Sequence, residues 1–114
     1  MSDPPALWLG QEVVARRVRF AITPSARIRG LMWQKSMDPD EALVIEPARQ
    51  IHTFGMRFPI DALFCDSDWY VVHVATALRP RRLTRWVRRS RRVVEMRSGA
   101  RAQLPEVGAR LRLG

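Results

Sequence analysis

Residues 51–66, "IHTFGMRFPIDALFCD", form the most apolar stretch of the chain, yet His52, Arg57 and Asp61 sit inside it. Alternation predicts a strand over Ile51–Phe58, with His52, Phe54, Met56 and Phe58 on one face and Ile51, Thr53, Gly55 and Arg57 on the other. Pro59 has no N–H to donate and interrupts the ladder, and Ile60–Cys65 resumes it. The polar turn Asp66-Ser67-Asp68 then folds this strand back against Trp69–Ala75 as an antiparallel hairpin, with Phe64, Val72 and Val74 expected in the core.

Working outward, Glu12–Phe20 reads as a strand with Val14, Val18 and Phe20 on one face. Thr23-Pro24 supplies an N-cap followed by proline at the first helical position, and Gly30 ends a short helix at Arg29. Ala42–Ile45, Val93–Arg97 and Arg110–Leu113 read as further strands, and Ala100–Leu104 as a second short helix. The expected fold class is α+β: a single compact domain over residues 1–114, dominated by a curved, mainly antiparallel, barrel-like sheet with two short helices. Residues 1–8 are expected to form a loose N-terminal arm and residues 78–92 an arginine-rich loop.

A chain of 114 residues with 46% hydrophobic content can bury one core without metals or disulfides. The lone Cys65 cannot staple its own chain and reads as a small core residue in a reducing compartment. No run approaches the roughly 18 apolar residues of a membrane-spanning helix. The start, MSDPPALWLGQ, lacks the positive charge of a signal peptide, so the chain reads as soluble and cytoplasmic.

Charge is uneven. All but Lys35 of the 20 basic residues are arginine, a bias that genome composition alone can produce. Position is more telling, because residues 1–68 carry net −1 and residues 69–114 carry net +10, which together give the +9 of the whole chain. Eight arginines fall in "RPRRLTRWVRRSRR": Arg79, Arg81, Arg82, Arg85, Arg88, Arg89, Arg91 and Arg92, with Trp86 among them. Guanidinium forks suit phosphate and an exposed tryptophan stacks on bases, so this block is a candidate polyanion or nucleic-acid site. The plainer readings are a solvated loop, or Leu83, Trp86 and Val87 forming one face of a short helix with Trp86 as the anchor.

Enzyme signatures are mostly absent. His52 and His73 are the only imidazoles, with no HExxH, no paired cysteines and no glycine-rich phosphate loop, so neither a metal nor a cofactor is implied. The acidic stretches at Asp38–Glu41 and Asp66–Asp68 read as turns. A lone carboxylate in an apolar strand costs several kcal/mol unless satisfied, so Asp61 must have a partner: His52, Arg57 or backbone N–H groups near the Pro59 break. Glu95, in "RRVVEMR", poses the same problem, and pairing with an arginine is the simplest solution.

The motif order resembles the family catalogued as domain of unknown function 192. The resemblance rests on "RIRGLMWQKSM" at Arg27–Met37, "HTFGMRFPIDALFCD" at His52–Asp66 and "VVEMRSGA" at Val93–Ala100, and covers nearly the whole chain. It implies a compact β-rich fold with small helices, and it assigns no activity. Where many members carry a tryptophan after the motif phenylalanine this chain has Gly55, and where many end with a glycine-aspartate pair it has Gly108-Ala109.

Three function classes follow. The first is a binding module for a small ligand or protein partner, with His52, Thr53, Met56, Arg57, Asp61 and Glu95 as the candidate site and Gly55 leaving room beside the backbone. The second is a nonspecific nucleic-acid binder working through Arg79–Arg92. The third, an enzyme and the least favoured, is a hydrolase in which Asp61 and Glu95 approach as an acid and base pair.

Overall fold

The computed structural model describes residues 3–114. Its elements run β1 (Leu7–Leu9), β2 (Glu12–Ala15), β3 (Arg17–Ala21), α1 (Pro24–Arg29), β4 (Glu41–Ile45), β5 (Ile60–Cys65), β6 (Val71–Leu78), β7 (Arg92–Arg97) and β8 (Leu111–Leu113). They build a β-rich domain of two sheets with very little helix. The larger sheet has the order β3-β4-β7-β5-β6, parallel between β3 and β4 and antiparallel elsewhere, and the smaller has the order β2-β1-β8. The larger sheet ends in β3 and β6 and the smaller in β2 and β8, so among the described residues there is no closed barrel.

The single expected strand over Glu12–Phe20 is two. The Arg16 and Arg17 N–H groups both donate to the Asp40 carbonyl, at 2.9 and 3.1 Å, where the chain passes from the smaller sheet to the larger. Val14 and Val18 nevertheless share one core, because both face the space between the sheets. Of the arm expected over residues 1–8, residues 1–2 lie outside the described residues, and the rest is tied down from Pro5. The Pro5 carbonyl accepts from the Val18 N–H at 2.9 Å, Ala6 exchanges hydrogen bonds with Gly114, and Leu7 is fully buried and pairs with Ala15 on one side and Leu113 on the other.

Every residue of β5 is buried, because the strand is central and both its faces are covered. Leu63 and Cys65 pack with Val94, Met96 and Leu7 between the sheets, while Ile60, Ala62 and Phe64 pack with Ile45, Ile51 and Val93 beneath α1 and the loops. The hairpin forms as expected, with Asp66 Oδ1 accepting from the Asp68 and Tyr70 N–H groups at 2.9 Å. Within it Val74 pairs with Leu63 and packs between the sheets, whereas the register shift beside Cys65 turns Val72 to the Phe64 side.

Helix α1 is capped as its sequence predicts. Thr23 Oγ1 accepts from the Ala26 N–H at 3.2 Å, Pro24 opens the helix, and Gly30 ends it at φ 46°. The second expected helix is absent, since residues 100–103 form bends and Leu104 is irregular. Gly99 at φ 77° starts a turn there, and Pro105 disfavours a helical conformation for the residue before it. No described helix is long and apolar enough to cross a membrane.

The segment Ile51–Phe58 is a loop rather than a strand, with only an isolated bridge between His52 and Leu83. Gly55 takes φ 78°, outside the extended region, and a methyl group placed on it would meet Met32 Cε at 3.0 Å. The room expected beside Gly55 is therefore filled by Met32.

Candidate functional site

Alternation along β7 sends Val94 and Met96 between the sheets and Val93 and Glu95 to the α1 side. Glu95 stands between Leu43 of β4 and Ala62 of β5, with 0% exposure. The expected arginine partner is missing: neither carboxyl oxygen has a hydrogen-bond partner among the described residues. Burial without a partner disfavours the charged form and pushes its pKa up to about 8, so the group is mainly an uncharged carboxylic acid at pH 7.

This carboxyl lines a cavity of about 410 Å³. Its walls are α1 and Gly30 on one side, the segment from Ile45 to His52 on another, and Met56, Trp86 and Arg91 beyond. A methyl group on Gly30 would stand in ordinary contact with Glu95 Oε1, at 3.8 Å, so this glycine sits directly against the carboxyl. Arg27 fixes one guanidinium nitrogen on the Pro47 carbonyl at 3.0 Å, while its Nε is buried with no partner. A broader depression of about 730 Å³ beside Leu104 holds no buried carboxyl among the described residues; its Arg101 is paired with Glu12 at 3.5 Å, while Arg101 Nε, like Arg27 Nε, is buried without a partner.

His52 shapes this cavity through its ring hydrogen bonds. Its Nδ1 accepts from the Phe54 N–H at 3.1 Å, which leaves Nε2 to donate to the Ile28 carbonyl at 3.0 Å. Both ring nitrogens are thus engaged in tying the last turn of α1 to the loop. Met56, buried, completes the same wall.

The other expected site residues lie elsewhere. Thr53 is fully buried and holds the arginine-rich segment: its Oγ1 donates to the Arg79 carbonyl at 2.6 Å and accepts from the Arg82 N–H at 2.8 Å. Arg57 is exposed on the loop surface. Asp61 is paired with Met96 across the sheet and shares the face of Leu63, opposite that of Glu95. Its Oδ1 accepts from the Ala77 N–H at 2.8 Å and its Oδ2 from the Gly99 N–H at 3.4 Å. Ala77, at φ 50°, lies where β6 shifts register opposite Asp61. The carboxylate therefore satisfies donors left over by a strand irregularity and a turn, and His52 and Arg57 are not its partners. The acid and base pair considered for Asp61 and Glu95 does not form.

The arginine block divides. Arg92, at the start of β7, is buried: it forms a two-pronged pair with Glu46 at 3.0 and 3.1 Å, donates to the Asp66 and Ser67 carbonyls and stacks on Trp69 at 4.4 Å. This contact holds the Glu46 carboxyl below its ordinary pKa, and it removes Arg92 from any polyanion surface. Arg91 lies 3.9 Å from the same carboxylate. Arg79, Arg81, Arg82, Arg85, Arg88 and Arg89 are exposed, and among the described residues none has a carboxylate within 4.0 Å. Leu83 and Trp86 are exposed while Val87 is buried, so the three form no helical face and Trp86 is no anchor. Thr84, Val87 and Ser90 do the anchoring: Thr84 Oγ1 accepts from the Ile51 N–H, the Val87 N–H donates to Arg49 and Ser90 Oγ donates to Ala48.

Cys65 is buried, and burial pushes its thiol up to about 12, which leaves no thiolate for nucleophilic chemistry.

Crystal structures of two bacterial proteins share this architecture. A protein of unknown function from Novosphingobium aromaticivorans DSM 12444 superimposes with a TM-score of 0.81 at 19% identity, over 96% of this chain and 83% of that one. A Sinorhizobium meliloti 1021 protein described as a "putative transcription regulator" gives 0.77 at 22% identity, over 99% and 96%. At these identities the likeness is one of fold. No curated protein matches the sequence. The profile of DUF192, described as "Uncharacterized ACR", matches residues 8–113, and this chain belongs to that family.

Proposed function

We propose that the protein is a binding module for a small molecule, held in the cavity over Glu95 with the carboxyl as its hydrogen-bonding anchor. The observation that carries this reading is the pair of unpartnered oxygens on a fully buried side chain at a cavity wall. Buried polar groups are overwhelmingly satisfied, and leaving one without a partner costs about 1 to 3 kcal/mol. A ligand that hydrogen-bonds Glu95 recovers that energy and gains the apolar contact of Ile28, Ile45, Ile51 and Met56. A fragment library of small polar molecules screened by ligand-observed NMR tests this. Hits should compete with one another and be lost in Glu95→Leu; a library whose hits are unaffected by that substitution refutes the reading.

A second reading concerns the outer face of residues 79–91, as a nonspecific nucleic-acid surface. Its support is the six exposed arginines without acidic partners beside an exposed Trp86. If about five arginines contact phosphates, log affinity should fall with log salt at a slope of roughly −4. Fluorescence anisotropy with a labelled oligonucleotide measures this. Binding that is undetectable at low salt, or unchanged when Arg81, Arg82, Arg88 and Arg89 become serine, leaves the segment as a solvated loop.

A further inference from the structure

We infer that the Glu95 cavity takes a small anion: a molecule with a neutral amide-like head at Glu95, an apolar body, and a carboxylate or phosphate facing the arginines of the wall. This rests on the reading of the cavity as a small-molecule site and adds the ligand's chemical class.

Charge decides the class. Four arginines line the cavity, Arg27, Arg29, Arg49 and Arg91, against one acidic residue, Glu95. Backbone carbonyls orient two of them without neutralising them, Pro47 for Arg27 at 3.0 Å and Arg88 for Arg49 at 3.1 Å. Arg91 has only a loose contact with Glu46, at 3.9 Å. A cationic ligand would face all four guanidinium groups, and its one attraction would be a carboxyl that must first ionise in an apolar wall. An anion meets the opposite field and forms charge-assisted hydrogen bonds with guanidinium groups already in place.

The head follows from the groups left unpaired. An uncharged carboxyl offers one O–H donor beside one carbonyl acceptor, the complement of a primary amide or lactam edge. Buried Arg27 Nε needs an acceptor as well. Between head and tail the wall is apolar, and Trp86, 62% exposed, presents a ring at the cavity for a flat body to stack on.

Three probes with one body separate the possibilities: 4-carbamoylbenzoate, neutral benzamide and cationic 4-(aminomethyl)benzamide, each titrated into the full chain and followed by amide NMR. Signals of Gly30, His52 and Glu95 and of the Trp86 indole should shift, with the carboxylate probe about tenfold tighter than benzamide and the cationic probe weakest. Arg49→Ser, at an exposed position, should reduce that preference severalfold. Added sodium chloride should weaken the carboxylate probe and spare benzamide, a readout that needs no variant. The inference is overturned if the cationic or neutral probe binds as tightly as the anion, or if neither salt nor Arg49→Ser changes the order. If none of the three shifts these residues, the small-molecule reading of the cavity falls with it.

Discussion

Asp61 and Glu95 lie on neighbouring strands, but Asp61 pairs with Met96 and Glu95 with Ala62, so the two carboxyl groups point to opposite faces of one sheet. One is satisfied by two backbone N–H groups, and the other has no partner among the described residues. The first is part of the scaffold, and the second is the anchor of the proposed binding site.

Asp61→Ala should destabilise the fold by about 2 to 4 kcal/mol, because it strands the Ala77 and Gly99 donors at the edge of the core. Asp61→Asn, which keeps an acceptor for Ala77, should cost less. Urea unfolding of the two variants checks both the size and the order.

Glu95 should make stability depend on pH in the unusual direction for a carboxyl. Its folded pKa, about 8, lies above the ordinary 4.5, so between those values the folded chain binds more protons than the unfolded one. Its contribution is then full below about 4.5, declines through neutral pH and is lost by about 8. Glu95→Gln keeps the shape and removes the titration. It should exceed the parent in stability by on the order of 3 kcal/mol at pH 7 and match it near pH 4. Parallel pH profiles for the two proteins would show that the carboxyl is not desolvated.

Phe64→Ala should cost about 3 to 5 kcal/mol, and Leu63→Ala about 2 to 5, although the two side chains point to opposite faces. A strand exposed on one face would tolerate one of the two changes. Guanidinium unfolding midpoints for both variants test whether β5 is covered on both sides.

Arg92→Ala should cost about 2 to 4 kcal/mol through loss of the Glu46 pair, the two carbonyl contacts and the Trp69 stack. Arg88→Ser, on the exposed side of the same block, should change stability by less than about 0.5 kcal/mol. Equal melting temperatures for the two variants would contradict the division of the block.

The strands were legible where one rule governed them. Ile60–Cys65, Val93–Arg97 and the helix after Thr23-Pro24 follow from apolar runs, a cap and a terminating glycine. The rule failed for Ile51–Phe58, where alternation is present but Gly55 bends the chain and Thr53 gives its hydroxyl to a segment nearly thirty residues away. Asp61 was readable as a satisfied structural carboxylate, although not the identity of its donors. Glu95 stood out as acidic among apolar neighbours. Its lack of a partner was not readable, because the wall that surrounds it comes from α1, the segment after β4 and Trp86, brought together only by the fold. The arginine block looked uniform in sequence, and only burial separates Arg92 from the seven exposed arginines.

The most direct test of the account is the side-chain carboxyl carbon of Glu95, followed by NMR at pH 7 while 4-carbamoylbenzoate is added. The account predicts a saturable shift of that resonance, together with signals from His52 and Trp86. A resonance that stays in place while the probe saturates elsewhere, or that never moves at any concentration, would contradict the assignment of Glu95 as the ligand anchor.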